Sequence, residues 1–490
     1  MDTEVIVVGA GPVGLMLAGE LRLGGAEVVV LERLAAPTGE SRASTLHART
    51  MEILAQRDLL ARFGDPPNEP MGHIGGVPLD LTGPPTRYPG QWKVPQTEVE
   101  KELGAWAVEC GALLRRGHEV VGLTQHDDRV EVRVVGPDGP YTLSARYVVG
   151  CDGEESTVRE LAGIERDGTD ATHELLRADV AGVHIPNRRF ERHPAGLAIA
   201  ARRPDGVTRV MVCEFGRTPT PRTATPTFEE VCQVWRRVTG EDLSGGTPIW
   251  LNAFNNASKL ARRYRHGRVM LAGDAAHQQL PAGGQAINLG LQDAVNLGWK
   301  LAAVVTGRAP DRLLDTYHDE RHLVGRRVLR NIEAQALLLL GGTEVEPLRT
   351  LVAELVRYPV VRDHLAGTIT GLDVRYGDDP HPLVGARAPD PLPDPDGVAA
   401  SLRSGRGRLL DVSGDPARQE WLRGVVAGWR RSVDLSTLPS SASLPEGTST
   451  LLLRPDGYVA WAGDGNADPR PALDQWFGPA VLPEPAGVET

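Results

Sequence analysis

The strongest constraint on the fold is a glycine-rich turn near the start of the chain, Gly9-Ala10-Gly11-Pro12-Val13-Gly14. It follows an apolar stretch at 4–8, typical of a buried parallel strand, and precedes apolar residues at helical spacing over 15–22. A second apolar stretch at 26–31 ends in Glu32, about 20 residues after the glycines. This order is typical of a dinucleotide-binding unit, in which a pyrophosphate meets the helix N-terminus and the acid accepts hydrogen bonds from a ribose. The motif alone leaves FAD and a nicotinamide cofactor open.

Composition excludes several classes of protein. A chain of 490 residues predicts two or three domains, and a net charge of −11 argues against a nucleic-acid partner. No apolar run approaches the 18 residues of a membrane span, and Asp2 argues against a signal peptide. The four cysteines are scattered without a C-x-x-C pair, which indicates a cytoplasmic protein with neither a redox dithiol nor a cysteine zinc site: Cys110, Cys151, Cys213 and Cys232.

Two further segments complete the organisation. Residues 165–260 alternate apolar and polar in short runs, at 180–185 and 197–201 for example, and predict a mostly antiparallel sheet with one helix near 228–237. Such a sheet carries no catalytic motif of its own, so we expect it to cover a binding site. Beyond residue 380 the pattern predicts a small α/β domain.

The character of a nucleotide-binding domain returns at 267–277, where a buried strand ends in Gly273-Asp274. The loop Pro281-Ala282-Gly283-Gly284 then leads into a predicted helix at about 285–305. Taken alone, Asp274 is equally typical of a helix cap, and the two glycines of a plain turn before a helix.

Three separated signatures stand in one order: Gly9–Gly14 with Glu32, then Cys151-Asp152-Gly153, then Gly273-Asp274 with Pro281–Gln285. In this the chain resembles the single-component FAD-dependent aromatic hydroxylases, the p-hydroxybenzoate and phenol hydroxylase group. The likeness is greatest to the bacterial angucycline and anthracycline polyketide hydroxylases, and it covers essentially the whole chain.

The resemblance implies an α/β fold in which a Rossmann-type FAD-binding domain carries an antiparallel-sheet substrate domain. A C-terminal thioredoxin-like domain follows, and without a C-x-x-C pair we expect it to serve a structural role or to support a homodimer. The domains implied are FAD-binding at 1–72, 94–164 and 262–340, substrate-binding at 73–93 and 165–261, a helical connector at 341–380, and the C-terminal domain at 381–490.

The resemblance also implies roles for individual residues. Glu32 would hold the adenosine ribose, Arg42 and Gln96 would lie along the ADP and ribityl portion, and the backbone near Val120 would meet the adenine. Asp152-Gly153 would shape the place where FAD and the pyridine nucleotide meet, and Asp274 would bind the ribityl chain. The expected cofactor-binding residues are Gly9, Gly11, Pro12, Val13, Gly14, Glu32, Arg33, Arg42, Gln96, Val120, Asp152, Gly153, Gly273, Asp274, Pro281, Gly283, Gly284, Ala286, Ile287 and Asn288.

One position departs from the family pattern. Members usually carry Gly-Gly-Gln-Gly-Met-Asn, whereas this chain has Gly283-Gly284-Gln285-Ala286-Ile287-Asn288. Alanine disfavours a left-handed backbone. The change is harmless if Ala286 lies in the first helical turn, and it alters the mobility of the flavin ring if the ring moves past it.

The reaction implied is hydroxylation of a polycyclic aromatic polyketide. In the family NAD(P)H docks transiently and reduces FAD, which then reacts with O2 to form the C4a-hydroperoxide that transfers one oxygen atom. The alternatives are a Baeyer–Villiger or ring-cleaving oxygenase, a hydroxylase that inactivates an aromatic antibiotic, and a flavoprotein that binds a polyketide without oxygenating it. The sequence identifies no general base; the candidates near the expected site are His73, Tyr264 and His277, and a structural role is the favoured explanation for each.

Overall fold

The computed structural model describes residues 1–39, 43–217, 219, 222, 224–389, 400, 402–438 and 444–481. Arg42 lies outside the described residues.

The first part of the chain builds an α/β layer. Its elements are β1 (Thr3–Val8), α1 (Pro12–Leu23), β2 (Val28–Glu32), β3 (Leu46–His47), α2 (Ala48–Gln56), β4 (Asn68–Glu69), β5 (Met71–Ile74), β6 (Val77–Asp80), β7 (Gln91–Trp92), α3 (Gln96–Glu109), β8 (Leu113–Arg116), β9 (Glu119–Gln125), β10 (Val130–Gly136), β11 (Gly139–Gly150) and α4 (Thr157–Leu161).

The second part is mainly antiparallel sheet: β12 (Arg166–Thr169), β13 (Glu174–Ala181), β14 (Arg188–His193), β15 (Gly196–Arg202), β16 (Thr208–Glu214), α5 (Phe228–Thr239), β17 (Thr247–Asn255) and β18 (Ser258–Ala261). The third part returns to the first sheet and continues into helices: β19 (Arg265–His266), β20 (Val269–Leu271), β21 (His277–Gln278), α6 (Gln285–Val305), α7 (Asp315–Leu340), α8 (Glu346–Leu355) and α9 (Pro359–Thr370).

The last part contains β22 (Gly407–Asp411), α10 (Pro416–Val426), β23 (Val433–Thr437), β24 (Thr450–Leu453), β25 (Val459–Gly463) and α11 (Arg470–Phe477). Short 3-10 turns occur at Leu60–Phe63, Gly273–Ala275, Ala282–Gly284, Asp311–Leu314, Thr343–Val345 and Ala427–Trp429.

The central sheet has the strand order β19-β20-β11-β1-β2-β8, with β1 parallel to both β2 and β11. The side chains of Val5–Val8 are buried, as expected for a strand covered on both faces. Helix α1 packs against α3 and α6, so the end of β1 and the start of α1 lie in the middle of the domain. The predicted Rossmann-type α/β fold is confirmed.

The predicted antiparallel sheet is also confirmed, with the order β14-β15-β16-β13-β17. One face packs on the amphipathic α5, whose Thr227 cap accepts a hydrogen bond from the Glu230 N–H at 3.2 Å. The other face carries Leu175, Leu197 and Ile199 and is turned towards the first domain. The alternation of side chains along each strand thus separates a core-facing from a cavity-facing surface.

The C-terminal sheet, β23-β22-β24-β25, joins the rest of the protein through buried polar contacts. Arg454 pairs with Glu320 of α7 and with Asp456, and the Trp299 indole N–H of α6 donates to Asp456 at 3.2 Å. Lys300 donates to Glu320 at 2.8 Å. Burial would raise the pKa of Glu320, but the charges of Arg454 and Lys300 lower it to about 2, so Glu320 is ionised at neutral pH.

Candidate active site

The glycine turn lies where the ends of three strands meet. The Gly9 N–H donates to the carbonyl of Leu31 at 2.8 Å, and its φ of +103° requires glycine. A Cβ at Gly9 or Gly14 would overlap a backbone oxygen, that of Cys151 or of Gly9 itself. Gly11 differs, because nothing lies within 4 Å of a Cβ built there.

Helix α1 begins at Pro12 directly after Gly11, and no side chain among the described residues caps it. The first turn of a helix leaves N–H groups without intrahelical partners, and the space around Gly11 at this end of α1 is open. A helix N-terminus of this kind binds a phosphate through its N–H groups and its dipole.

Glu32 stands beside this turn at the end of β2. Its carboxylate accepts the N–H of Ala10 and the N–H of Leu34, each at 2.8 Å. The His118 N–H donates to the Glu32 carbonyl at 2.9 Å, which brings the start of β9 and the buried Val120 to the same edge. Arg33 is exposed. The structure therefore groups Glu32 and Val120, two of the residues predicted for the adenosine end.

Gln96 is the first residue of α3, and its side chain binds the segment that begins at Ala43. Its side-chain oxygen accepts the Ala43 N–H at 3.2 Å, and its nitrogen donates to Glu100 at 2.8 Å. Ala43 and Thr45 line the main cavity, so Gln96 positions one of its walls.

Asp152 lies next to Gly9 and binds the start of α4, whose N-cap is Ser156. Its carboxylate accepts the Ser156 hydroxyl and, at 3.0 Å, the Val158 N–H. Burial raises the pKa of Asp152, although these hydrogen bonds oppose the rise. Gly153 follows with φ +87°. The carboxylate thus serves the local fold beside the glycine turn, and a part in nicotinamide docking stays a prediction.

Gly273 and Asp274 approach the same turn from the end of β20. The Val13 side chain lies 2.9 Å from a Cβ built at Gly273 and 2.6 Å from one built at Gly290 of α6, so both backbones pack directly on the start of α1. Asp274 is exposed although Gly273 and Ala275 on either side are buried. The three sequence signatures therefore converge in space.

The loop before α6 forms the far end of this arrangement. Gly283 and Gly284 both have left-handed φ values, 63° and 68°, and α6 begins immediately after them. Asn288 anchors the loop: its amide donates to the carbonyls of Gly284 at 2.7 Å and Thr45 at 3.0 Å, and its oxygen accepts from the His47 N–H at 2.8 Å. Ala286 lies within α6, where alanine is favourable and no left-handed backbone is needed.

A cavity of about 640 Å³ separates this loop from the antiparallel sheet. On the loop side it is lined by Pro281, Gly283, Gly284, Ala286 and Ile287. On the sheet side it is lined by apolar residues, Leu175, Leu197, Ile199, Met211 and Phe254. Its volume and its apolar walls suit a ligand of several fused rings.

His73 is the predicted catalytic candidate that reaches this cavity. Its Nδ1 accepts the Gly76 N–H at 3.2 Å, and its ring lies 4.0 Å from that of Phe190. Burial, and then the charge of Arg189, lower the pKa of His73 to about 3. The imidazole is therefore neutral, with its proton on Nε2, and is suited to donate a hydrogen bond rather than to act as a base.

The structure does not bring Tyr264 or His277 to the cavity. His277 is fully buried and its Nε2 lies 2.7 Å from Asp293, which also accepts from Arg321 and from the Gly273 N–H. Tyr264 is fully buried behind this group. Both side chains support the segment that follows β20 at Gly273, and neither lines the cavity.

Sequence reasoning missed the polar side chains that line the cavity from the sheet and from β7. Arg177 and Arg209 project from β13 and β16, and Lys93 follows β7. From the sequence, an arginine between Leu175 and Asp179 is expected to face solvent. In the structure Arg177 is only 6% exposed. The alternation of the strand was the available signal, since it places Arg177 on the same face as Leu175.

Two absences hold for the described part of the chain. It contains no group of three or more His, Cys, Asp or Glu side chains arranged to hold a metal ion. None of its helices is long and apolar enough to cross a membrane.

Comparisons with known proteins place the whole chain beside known enzymes. A family model for the FAD binding domain matches residues 2–332, and one for the C-terminal part of aromatic-ring hydroxylases matches 381–480. The chain is 43% identical to the 12-dehydrotetracycline 5-monooxygenase/anhydrotetracycline 6-monooxygenase of Streptomyces rimosus, over 98% of this chain and 100% of that protein. It is 42% identical to a rifampicin monooxygenase of Streptomyces venezuelae, over 98% and 99% of the two chains. The crystal structure of CabE, an aromatic hydroxylase from angucycline biosynthesis, superposes with a TM-score of 0.92 at 48% identity, over 98% and 100% of the two chains.

Proposed function

This chain belongs to the family of FAD-binding aromatic-ring hydroxylases and is a flavoprotein monooxygenase, and on that premise we propose that it uses NAD(P)H and O2 to hydroxylate a polycyclic aromatic polyketide. The observation that carries the substrate class is the cavity of about 640 Å³ between the loop before α6 and the apolar face of the sheet. The tetracycline and angucycline enzymes that this chain resembles, as named above, support the same class.

The residues along the first domain fit FAD. The open N-terminus of α1 beside Gly11 would receive the pyrophosphate, and Glu32 would accept hydrogen bonds from the adenosine ribose. The exposed Asp274 would bind the ribityl chain, and the loop at Gly283 and Gly284 would border the ring system. When bound, FAD supplies the redox chemistry with NAD(P)H and O2.

The protein's own part is to hold the two reactants together and to keep water out. The apolar side chains of Leu175, Ile199 and Phe254 exclude water from the space where the aromatic rings would lie. The opposite wall is formed by the N-terminus of α6, with the N–H groups that follow Gly283. These groups would favour negative charge on the ring system of the bound FAD. His73 would donate a hydrogen bond to a substrate oxygen from the side.

The test is turnover by the purified yellow protein. Incubation with NADPH or NADH, O2 and a panel of tetracyclic phenols should give substrate-stimulated oxidation of the nicotinamide and a product with one added oxygen and an intact ring system. A lactone or an opened ring would instead assign the protein to Baeyer–Villiger or ring-cleaving chemistry. No stimulated oxidation with any aromatic would sink the proposal.

A second candidate function is inactivation of an aromatic antibiotic by hydroxylation. It is favoured by the similarity to the rifampicin monooxygenase, which is nearly as close as the biosynthetic relative. Including rifampicin and tetracyclines in the panel, and assaying the products against a sensitive bacterium, separates the two. Turnover that removes antibacterial activity supports inactivation, and turnover confined to inactive polyketide precursors supports biosynthesis.

A further inference from the structure

The cavity carries an unusual charge for an acidic protein. Among the described residues that line it, five are cationic and one is acidic, although the whole chain has a net charge of −11. They are Lys93, Arg177, Arg188, Arg189 and Arg209 against Glu69. Cationic side chains on low-dielectric walls concentrate anionic ligands in a cleft.

These cations are built into the wall. Arg177 and Arg209 lie on the same face of adjacent strands, since Arg177 pairs with Met211 and Arg209 with Asp179. The buried Arg177 guanidinium donates to the Asn252 side chain at 3.2 Å and lies 4.5 Å from the centre of the Trp250 ring. Packing of this kind fixes a guanidinium in one orientation.

The acids that hold two of the arginines do not line the cavity. Asp179 accepts from Arg209 at 2.7 and 2.9 Å, and Glu241 accepts from Arg188. Asp179 lies on the same sheet face as Arg177, but it is buried and does not line the cavity, so it orients Arg209 without presenting a carboxylate to a ligand. On the same sheet face, Leu175 and Ile199 form an apolar region.

We propose that this cavity selects a polycyclic substrate that still carries a carboxylate, with the buried Arg177 binding the carboxylate, Arg189 of β14 adding positive charge at the same cavity, and the fused rings occupying the apolar region. The inference rests on the proposed function and narrows its substrate class to polycyclic acids. A polyketide chain is assembled with a carboxyl terminus, so an acid is the form that exists before any decarboxylation. Arginine binds carboxylates through paired, charge-assisted hydrogen bonds, and losing one costs about 10- to 100-fold in affinity.

The experiment measures binding without turnover. Holoenzyme is titrated with anthraquinone-2-carboxylate and with the neutral anthraquinone-2-carboxamide, and the change in the visible flavin spectrum gives each Kd. The acid should bind at least about 10-fold more tightly than the amide. Arg177→Met and Arg189→Met should each reduce this preference, and Arg177→Lys, which keeps the charge, should retain part of it. Arg236→Met on the outer surface of α5 is the matched control and should leave the preference unchanged.

Two outcomes would overturn the proposal. One is equal binding of acid and amide to the wild type, or a preference that survives in both Arg177→Met and Arg189→Met. The other is a change in the ratio of KM for NADPH to KM for NADH in these variants with no change in the acid preference, which would assign the cations to the adenosine 2′-phosphate of NADPH. Because the readout is binding, failure of hydroxylation leaves these results interpretable. Arg189 is exposed, so its variant tests the proposal even if Arg177→Met does not fold.

Discussion

Replacing glycine by alanine should have different effects at two positions of the glycine turn. A Cβ at Gly11 meets nothing within 4 Å, and the backbone φ of −76° is ordinary for alanine. Gly11→Ala should therefore change the free energy of unfolding of the apoprotein by less than about 1 kcal/mol, the cost of alanine at a helix cap. Its methyl group would, however, occupy the space in which a pyrophosphate meets the N-terminus of α1. Losing hydrogen bonds to a charged group costs about 1.5–3 kcal/mol each, or roughly 10- to 100-fold in the Kd for FAD.

Gly14→Ala is the matched comparison. Its Cβ would overlap the carbonyl oxygen of Gly9, so the backbone must shift, and the apoprotein should lose more than about 1 kcal/mol of stability. The assay pairs thermal unfolding of the apoproteins with FAD titration followed by flavin fluorescence. The reasoning is refuted if Gly11→Ala binds FAD as tightly as the wild type, or if it destabilises the apoprotein as much as Gly14→Ala does.

Two further predictions concern other parts of the site, and a third concerns the contact between α7 and the C-terminal sheet. Asp274→Ala should purify with much less flavin than the wild type, measured by the ratio of visible to ultraviolet absorbance, and full yellow occupancy would contradict a ribityl role. Ile199→Trp should narrow the cavity at the sheet and raise KM for polycyclic phenols at least about 10-fold while leaving flavin content unchanged, and an unaltered KM would mean that substrate does not lie against the sheet. Glu320→Gln should cost about 3–5 kcal/mol by unpairing the buried charges of Arg454 and Lys300, measured by urea unfolding. Because the pKa of Glu320 is lowered to about 2, its contribution is fully present above its usual pKa and is lost as the pH falls from about 4.5 towards 2, so the variant should lose that part of the acid sensitivity.

Much of the first domain could be predicted because its local signals agree. The glycine turn, the flanking apolar strands and the helix after Gly284 were each indicated by periodicity, and α6 spans the predicted 285–305. The strand predicted at 180–185 was wrong: β13 runs from Glu174 to Ala181. Leu175, Arg177 and Asp179 lie on the cavity face of this strand. Charged residues on an inward face break the alternation of apolar and polar residues by which such a strand is predicted.

The active-site side chains were harder to predict, since they meet only in the folded chain. His277 and Tyr264 are close in sequence to the cofactor loop, yet the fold buries them behind Gly273 to satisfy Asp293 and fill the core. The cations Arg177, Arg189 and Lys93 come from separate segments, and each alone is typical of a solvated surface. Their convergence depends on the placement of the sheet over the first domain, which no local pattern encodes.

The most direct test of the account is the fate of molecular oxygen. The purified holoenzyme, supplied with NADPH and a polycyclic phenolic acid under isotopically labelled O2, should form a product that contains one labelled oxygen atom and the original ring system. NADPH should be consumed in equal amount to the product. A product without label, or NADPH oxidation that a polycyclic substrate neither accelerates nor couples to product, would contradict the assignment of this cavity to hydroxylation.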